Sequence, residues 1–199
     1  MSKLTVAVFD FDGTLTTKDT FVEFIRFAKG SLACYAGFLL FSPLLVAMKL
    51  KIYPNWKAKQ QIFSYFFKNT PISTFNAWGV DFTKEIDKIL RPEALEVLKV
   101  HQEQRNRVIV VSASIENWIL PWSTKMGIGE TLATKIEIDE KGLLTGRFSG
   151  RNCYGQEKVD RLASILPARS EYRLMVYGDS WGDKELLESA DEGFYRKFK

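Results

Sequence analysis

The stretch LTVAVFDFDGTLTTKDT, Leu4 to Thr20, decides the fold. Leu4 to Phe9 is short, β-rich and apolar at successive positions, which marks a strand buried on both faces. It ends on Asp10, with Asp12 two residues further on. Buried carboxylates are costly unless they are paired, hydrogen-bonded or bound to a cation. The pair therefore predicts a partner elsewhere in the chain.

Two further apolar runs end the same way. Arg107–Val111 (RVIVV) leads to Ser112, and Arg173–Tyr177 (RLMVY) leads to Gly178-Asp179, with Asp183 close behind. Helical spacing fills the intervals at Thr20–Lys29, Ile72–Leu90, Pro92–Gln104, Trp118–Met126 and Lys158–Leu166, and Ala133–Phe148 reads as a hairpin. Strands alternating with helices give an α/β fold with a parallel sheet and crossover connections. Residues 18–88 show no strand pattern and read as a helical insert directly after the first strand.

At 199 residues, 46% hydrophobic and 26% charged, the chain is one globular domain or one domain with an insert. Its net charge of +4 is scattered apart from a basic end at Arg196, Lys197 and Lys199. That is too mild for a nucleic-acid partner, and it suits an anionic substrate or a weak attraction to an anionic membrane. Cys34 and Cys153 have no metal-type spacing, so free thiols in a reducing compartment are expected. The first strand starts almost at the first residue, so no signal peptide is expected and a cytoplasmic location follows.

In an open parallel sheet, ligands sit at the carboxyl ends of the strands. Asp10, Asp12, Asp179, Asp183 and Ser112 would meet there. Four carboxylates repel one another, and a hard divalent cation with oxygen ligands, Mg²⁺ above all, relieves that. The same set can carry phosphoryl transfer. One carboxylate attacks phosphorus, a second moves the proton, and a Ser hydroxyl and a Lys ammonium hold the phosphate oxygens. Lys158 in GQEK is the candidate lysine. An EF-hand is excluded, because glycine falls at the fourth loop position rather than the sixth. Taken singly, each feature has a plainer meaning: Asp10 and Asp12 as a turn, Asp19 as a helix cap, Lys158 as a solvated lysine, Asp183 as a helix N-terminal carboxylate. His101 lies on a polar helix face with no chemistry assigned, and Trp181 either touches substrate or packs.

Together, DFDGT (Asp10–Thr14), VVSAS (Val110–Ser114), GQEK ending at Lys158 and GDSWGD (Gly178–Asp183) resemble the four ordered motifs of the haloacid dehalogenase superfamily. The helical insert between the first two motifs, with MGIGETLATKIEIDEKGLLTG, resembles the phosphoserine phosphatase-like branch, subfamily IB. The resemblance implies a Rossmann-like three-layer core (1–17 and 89–199) and an all-helical cap (18–88). It implies a Mg²⁺-dependent phosphatase acting through an aspartyl-phosphate. Asp10 would be the nucleophile, and Asp12 the general acid/base that also gives the metal its backbone carbonyl. Ser112 and the Ala113 amide would bind phosphate, and Lys158 would steady phosphate and nucleophile. Asp179 would ligate the metal, and Asp183 would orient its waters. Asp19 stands where the branch has a substrate-reading glutamate, and Gly182 where it usually has asparagine. Both departures weaken phosphoserine as the substrate.

The run from Leu32 to Met48 carries no charge and contains Ser42-Pro43 at its middle. One reading is one or two buried cap helices. The other is a segment lying in a membrane interface, since Lys29, Lys49, Lys51, Tyr35, Tyr53 and Trp56 flank it. Through that run the chain also resembles, more weakly, a group of bacterial proteins that includes the phosphatidylglycerophosphatase C enzymes. That would make the substrate a phospholipid head group and the protein membrane-associated. A phosphotransferase would use the same intermediate. A phospho-accepting signalling module is the non-enzyme rival, but such modules lack the second aspartate and the cap. A catalytically dead scaffold is disfavoured by the intact motifs.

Overall fold

The computed structural model describes residues 3–199. Among these residues six strands form one sheet: β1 Leu4–Phe9, β2 Arg107–Ile115, β3 Glu130–Ile138, β4 Leu144–Ser149, β5 Tyr172–Gly178 and β6 Glu192–Tyr195. Their order is β4-β3-β2-β1-β5-β6, with every neighbouring pair parallel except β3 and β4. The apolar runs alternate between two clusters. Val6, Val8, Ile109, Val111, Leu174 and Val176 face one side, and Ala7, Phe9, Val108, Val110 and Tyr177 face the other. A sheet covered on both faces needs helices on both. On one face lie α6 Pro92–Glu103 and α7 Glu116–Lys125, and on the other α8 Gln156–Ile165 and α9 Lys184–Glu188. The result is the expected three-layer α/β core.

Between β1 and α6, five helices follow one another: α1 Thr20–Lys29, α2 Ser31–Leu40, α3 Ser42–Lys49, α4 Asn55–Phe67 and α5 Ile72–Asp87. Asp19 caps α1, its Oδ1 accepting from the N–H groups of Phe21 (2.8 Å) and Val22 (3.3 Å). Aromatic rings tie these helices to the sheet layer. Phe24 stacks on Trp118 of α7 at 4.3 Å between centroids and meets Phe75 and Phe82 of α5 edge-on at 5.2 Å. Gly79 lets α5 approach α7, since a Cβ there would stand 2.2 Å from the Asn117 carbonyl oxygen.

Two expectations change. The uncharged run breaks before Pro43 as expected, but it is no buried core: α2 buries only Cys34 and Gly37, and α3 buries nothing. His101 is not on a polar face. It is buried, with Nε2 3.0 Å from the Tyr177 hydroxyl and Nδ1 2.9 Å from the Asn106 amide, because Tyr177 at the end of β5 reaches across to α6. Lys158, the candidate lysine, is 2% exposed, so its plainer reading as a solvated lysine falls. The short β6 and α9 were not foreseen. Both cysteines are free and buried.

Candidate active site

Asp10 is held where β1 ends by its own N–H, which donates to Tyr177 O of β5 at 2.9 Å. The chain then turns sharply. Gly13 has φ +85°, and a Cβ there would lie 2.4 Å from Asp179 Oδ2, so only glycine lets the DFDGT turn rest against the end of β5. Lys158, from the first turn of α8, reaches back under the sheet ends. Its Nζ donates to Asp10 Oδ1 (2.6 Å), Asp183 Oδ1 (2.5 Å) and Val111 O (3.2 Å). Asp183 Oδ2 accepts from Asp179 N (3.2 Å), Ser180 N (3.0 Å) and Ser180 Oγ (2.9 Å). Both Asp183 oxygens are thus occupied by protein donors.

Asp179 differs. Its Oδ1 is buried with no hydrogen-bond partner. Its Oδ2 pairs with Lys199, on a C-terminal arm whose Arg196 Nε also donates to Asp179 O at 3.1 Å. Carboxylate oxygens of Asp10, Asp179 and Asp183 lie within 4.8 Å of one another. An orphaned buried oxygen in an all-oxygen, anionic donor set fits a hard divalent cation such as Mg²⁺.

The protonation behaviour follows from this crowding. Burial and the Asp183 charge hold Asp10 well above the usual carboxylate range, although Lys158 opposes them. Burial would also raise Asp183, but Lys158 and the Ser180 donors outweigh it and hold it low. Burial would lower Lys158, and the carboxylates of Asp10 and Asp183 more than reverse that. The lysine therefore stays charged.

Asp12 points away from this cluster. Its Oδ1 accepts from Thr20 N (2.7 Å) and Thr20 Oγ1 (2.6 Å), and its Oδ2 accepts from Ser114 Oγ. Burial, then the charge of Asp19, raises its pKa, with Lys59 opposing. Asp10, Asp12, Asp19, Ala113, Lys158 and Asp179 all line one cavity of about 340 Å³. Ser112 does not line it. Ser112 is fully buried inside β2, which runs on past it to Ile115 with a register shift between the two, and its Oγ accepts from Ser114 N at 3.0 Å. Trp181 is 76% exposed and not among the cavity's lining residues.

Lys59 was missed in the sequence. Its Nζ donates to Ala113 O at 3.0 Å, 54 residues away along the chain, and it faces the cavity beside Asn55. A signal existed: Asn55, Lys59 and Ile62 share one face of α4 at helical spacing, with polar groups where a core-facing helix would be apolar. The cavity also has an apolar wall, to which α2 and α3 contribute Phe38, Leu45 and Met48.

A sequence model of the haloacid dehalogenase-like hydrolases matches residues 7–188, from β1 to the end of α9. The chain belongs to the haloacid dehalogenase-like hydrolases. Protein CicA of Caulobacter vibrioides is 30% identical over 196 residues, which cover 98% of this chain and 86% of CicA. In fold, this hydrolase resembles a protein of unknown function from Bordetella pertussis Tohama I. The TM-score is 0.79 at 21% identity, covering 94% of this chain and 87% of that one. It also resembles a substrate-bound phosphoserine phosphatase, with TM-score 0.63 at 20% identity over 98% and 86% of the two chains.

Proposed function

We propose that this hydrolase is a phosphatase that cleaves phosphomonoesters through an aspartyl-phosphate on Asp10. The reading rests on one observation: Lys158 bridges Asp10 and Asp183 beside the orphaned Asp179 oxygen, at the carboxyl ends of β1, β2 and β5.

An Asp10 carboxylate oxygen bonds to phosphorus as the bond from phosphorus to the leaving oxygen breaks. Asp12 delivers its proton to that oxygen, and its raised pKa suits a group that must begin protonated. Water then attacks phosphorus, Asp12 takes a proton back, and the bond from Asp10 to phosphorus breaks. Asp12 turns from Thr20 and Ser114 toward the phosphate for these transfers. Lys158 fixes Asp10 and offsets charge on the phosphate. Ala113, with Ser112 behind it, forms the phosphate's other wall. Asp10, Asp179 and the Asp12 carbonyl would hold Mg²⁺, and Asp183 would steady the shell around it. The bound ion would neutralise charge on the transferring phosphoryl group. The helices of 18–88 act as a cap that excludes water and selects the leaving group.

The substrate is a small phosphorylated compound or a phospholipid head group, and the cavity favours the second. Lys59 and Asn55 offer a place for an anionic or polar head, and Phe38, Leu45 and Met48 for an apolar remainder. Phosphoserine has nothing for that apolar wall. The test is Mg²⁺-dependent phosphate release, wild type beside Asp10→Asn, on an aryl phosphate, phosphoserine, sugar phosphates and phosphatidylglycerophosphate in detergent. Release that is lost in Asp10→Asn supports the phosphatase. Transfer of the phosphoryl group to an added alcohol in preference to water would make it a phosphotransferase. No release from folded wild-type protein contradicts it.

A further inference from the structure

By length and composition α2 and α3 together form a candidate membrane segment, yet they are bent by 61°, and among the described residues no single helix is long and apolar enough to cross. Their flanks also forbid a crossing. Phe24 of α1 and Phe67 of α4 touch at 5.6 Å between centroids, so the chain enters and leaves on the same side. What the pair presents is apolar surface. Leu32 is 87% exposed, Leu39 75% and Ile52 75%, and Tyr35, Leu40, Val46 and Leu50 are exposed as well. Scattered apolar side chains are ordinary on a protein surface, but an uncharged run that buries two of its residues is not.

The charge around this surface selects its partner. Phe24 to Val80 contains seven Lys and Arg and no Asp or Glu, while the whole chain is +4, so the rest of the molecule is −3. Lys49, Lys51 and Lys57 are exposed beside the apolar run, next to half-buried Tyr53 and exposed Trp56. Lysines at a rim, aromatics at the boundary and aliphatic side chains between them match an anionic bilayer in cross-section. A second protein would not require one sign of charge over the whole stretch from Phe24 to Val80.

We propose that α2 and α3 lie in the surface of an anionic membrane, with the exposed aliphatic residues among the acyl chains and the lysines at the lipid phosphates. The same pair supplies Phe38, Leu45 and Met48 to the wall of the Asp10 cavity. Docking therefore holds that cavity at the level of the head groups, where a lipid phosphomonoester reaches Asp10 without leaving the bilayer. The docking stands by itself; its use for catalysis rests on the phosphatase reading.

Flotation with phosphatidylcholine vesicles, with and without phosphatidylglycerol, tests it. Wild type should float with the anionic vesicles and lose much of that binding at high salt. Leu32→Glu combined with Leu39→Glu should weaken flotation roughly tenfold or more, because two exposed leucines no longer enter the bilayer. Lys49, Lys51 and Lys57 changed together to Gln should bring binding on anionic vesicles down to that on neutral ones. The Glu variant should keep wild-type turnover of an aryl phosphate and lose turnover of a lipid phosphate in vesicles. Wild type that stays unbound overturns the proposal. So does unchanged binding by the Glu variant, or a solution dimer that those glutamates dissociate in protein that binds no vesicle. Vesicle binding without phosphate release from any ester would sink the phosphatase reading alone.

Discussion

Asp12 and Lys59 illustrate two degrees of legibility. Asp12 was visible because the motif that carries it is contiguous: a strand end, a glycine with positive φ and two carboxylates in five residues. The same holds for Ser112 with Ala113 and for Asp179 with Asp183, each just past an apolar run. Lys59 was invisible because its partner, the Ala113 carbonyl, comes from another element. Its place on the cavity wall predicts its effect. Lys59→Met should lower kcat/KM on an anionic substrate about tenfold, chiefly through KM, since one charge-assisted contact is removed. Steady-state kinetics check this, and an unchanged KM removes Lys59 from substrate binding. Ser114 donates to Asp12 and favours its charged form. Ser114→Ala should therefore raise the pKa of Asp12 and move the corresponding limb of the pH–rate profile upward.

At the level of elements, long periodic segments were legible and short ones were not. The aromatic spacing and the Asp19 cap gave α1 its observed ends, Thr20–Lys29. β6 has four residues and α9 five, too few to show a period, and both are held by contacts with β5 that no local pattern encodes. The α2–α3 pair failed in the opposite sense. Its composition reads as core, but only part of it packs, through Phe38, Phe41 and Leu45, and the rest of its apolar surface stays exposed. Close approach of helices is equally hidden, and Gly79 is its test. Gly79→Ala would drive a methyl group into the backbone of Asn117 and should cost about 1–3 kcal/mol. Gly129→Ala, where a Cβ meets nothing within 4 Å, should leave the melting temperature nearly unchanged. Equal melting temperatures for the two variants would refute the packing of α5 on α7.

The whole molecule joins a buried anionic centre to a sheet whose β5 is tied to α6 by the contact of Tyr177 with His101. Burial, then the charge of Lys197, lowers the pKa of His101 below its unfolded value of about 6.5. Below that pH the unfolded chain takes up the proton first. The stability contributed by neutral His101 is thus complete above about pH 6.5 and is lost as pH falls through the lower folded value. Thermal melts between neutral and mildly acidic pH should show this slope, and His101→Gln should flatten it while lowering the melting temperature throughout. Mg²⁺ should raise the melting temperature of wild type by binding the folded state alone, and should do nothing for Asp179→Asn. The proposed passage of the phosphoryl group through Asp10 can be trapped by acid-quenching wild-type protein during turnover of an aryl phosphate and mapping the phosphorylated peptide by mass spectrometry. One phosphoryl group on the Asp10 peptide, absent from Asp10→Asn, is the predicted result. A phosphoryl group on any other residue, or none during measured turnover, would contradict it.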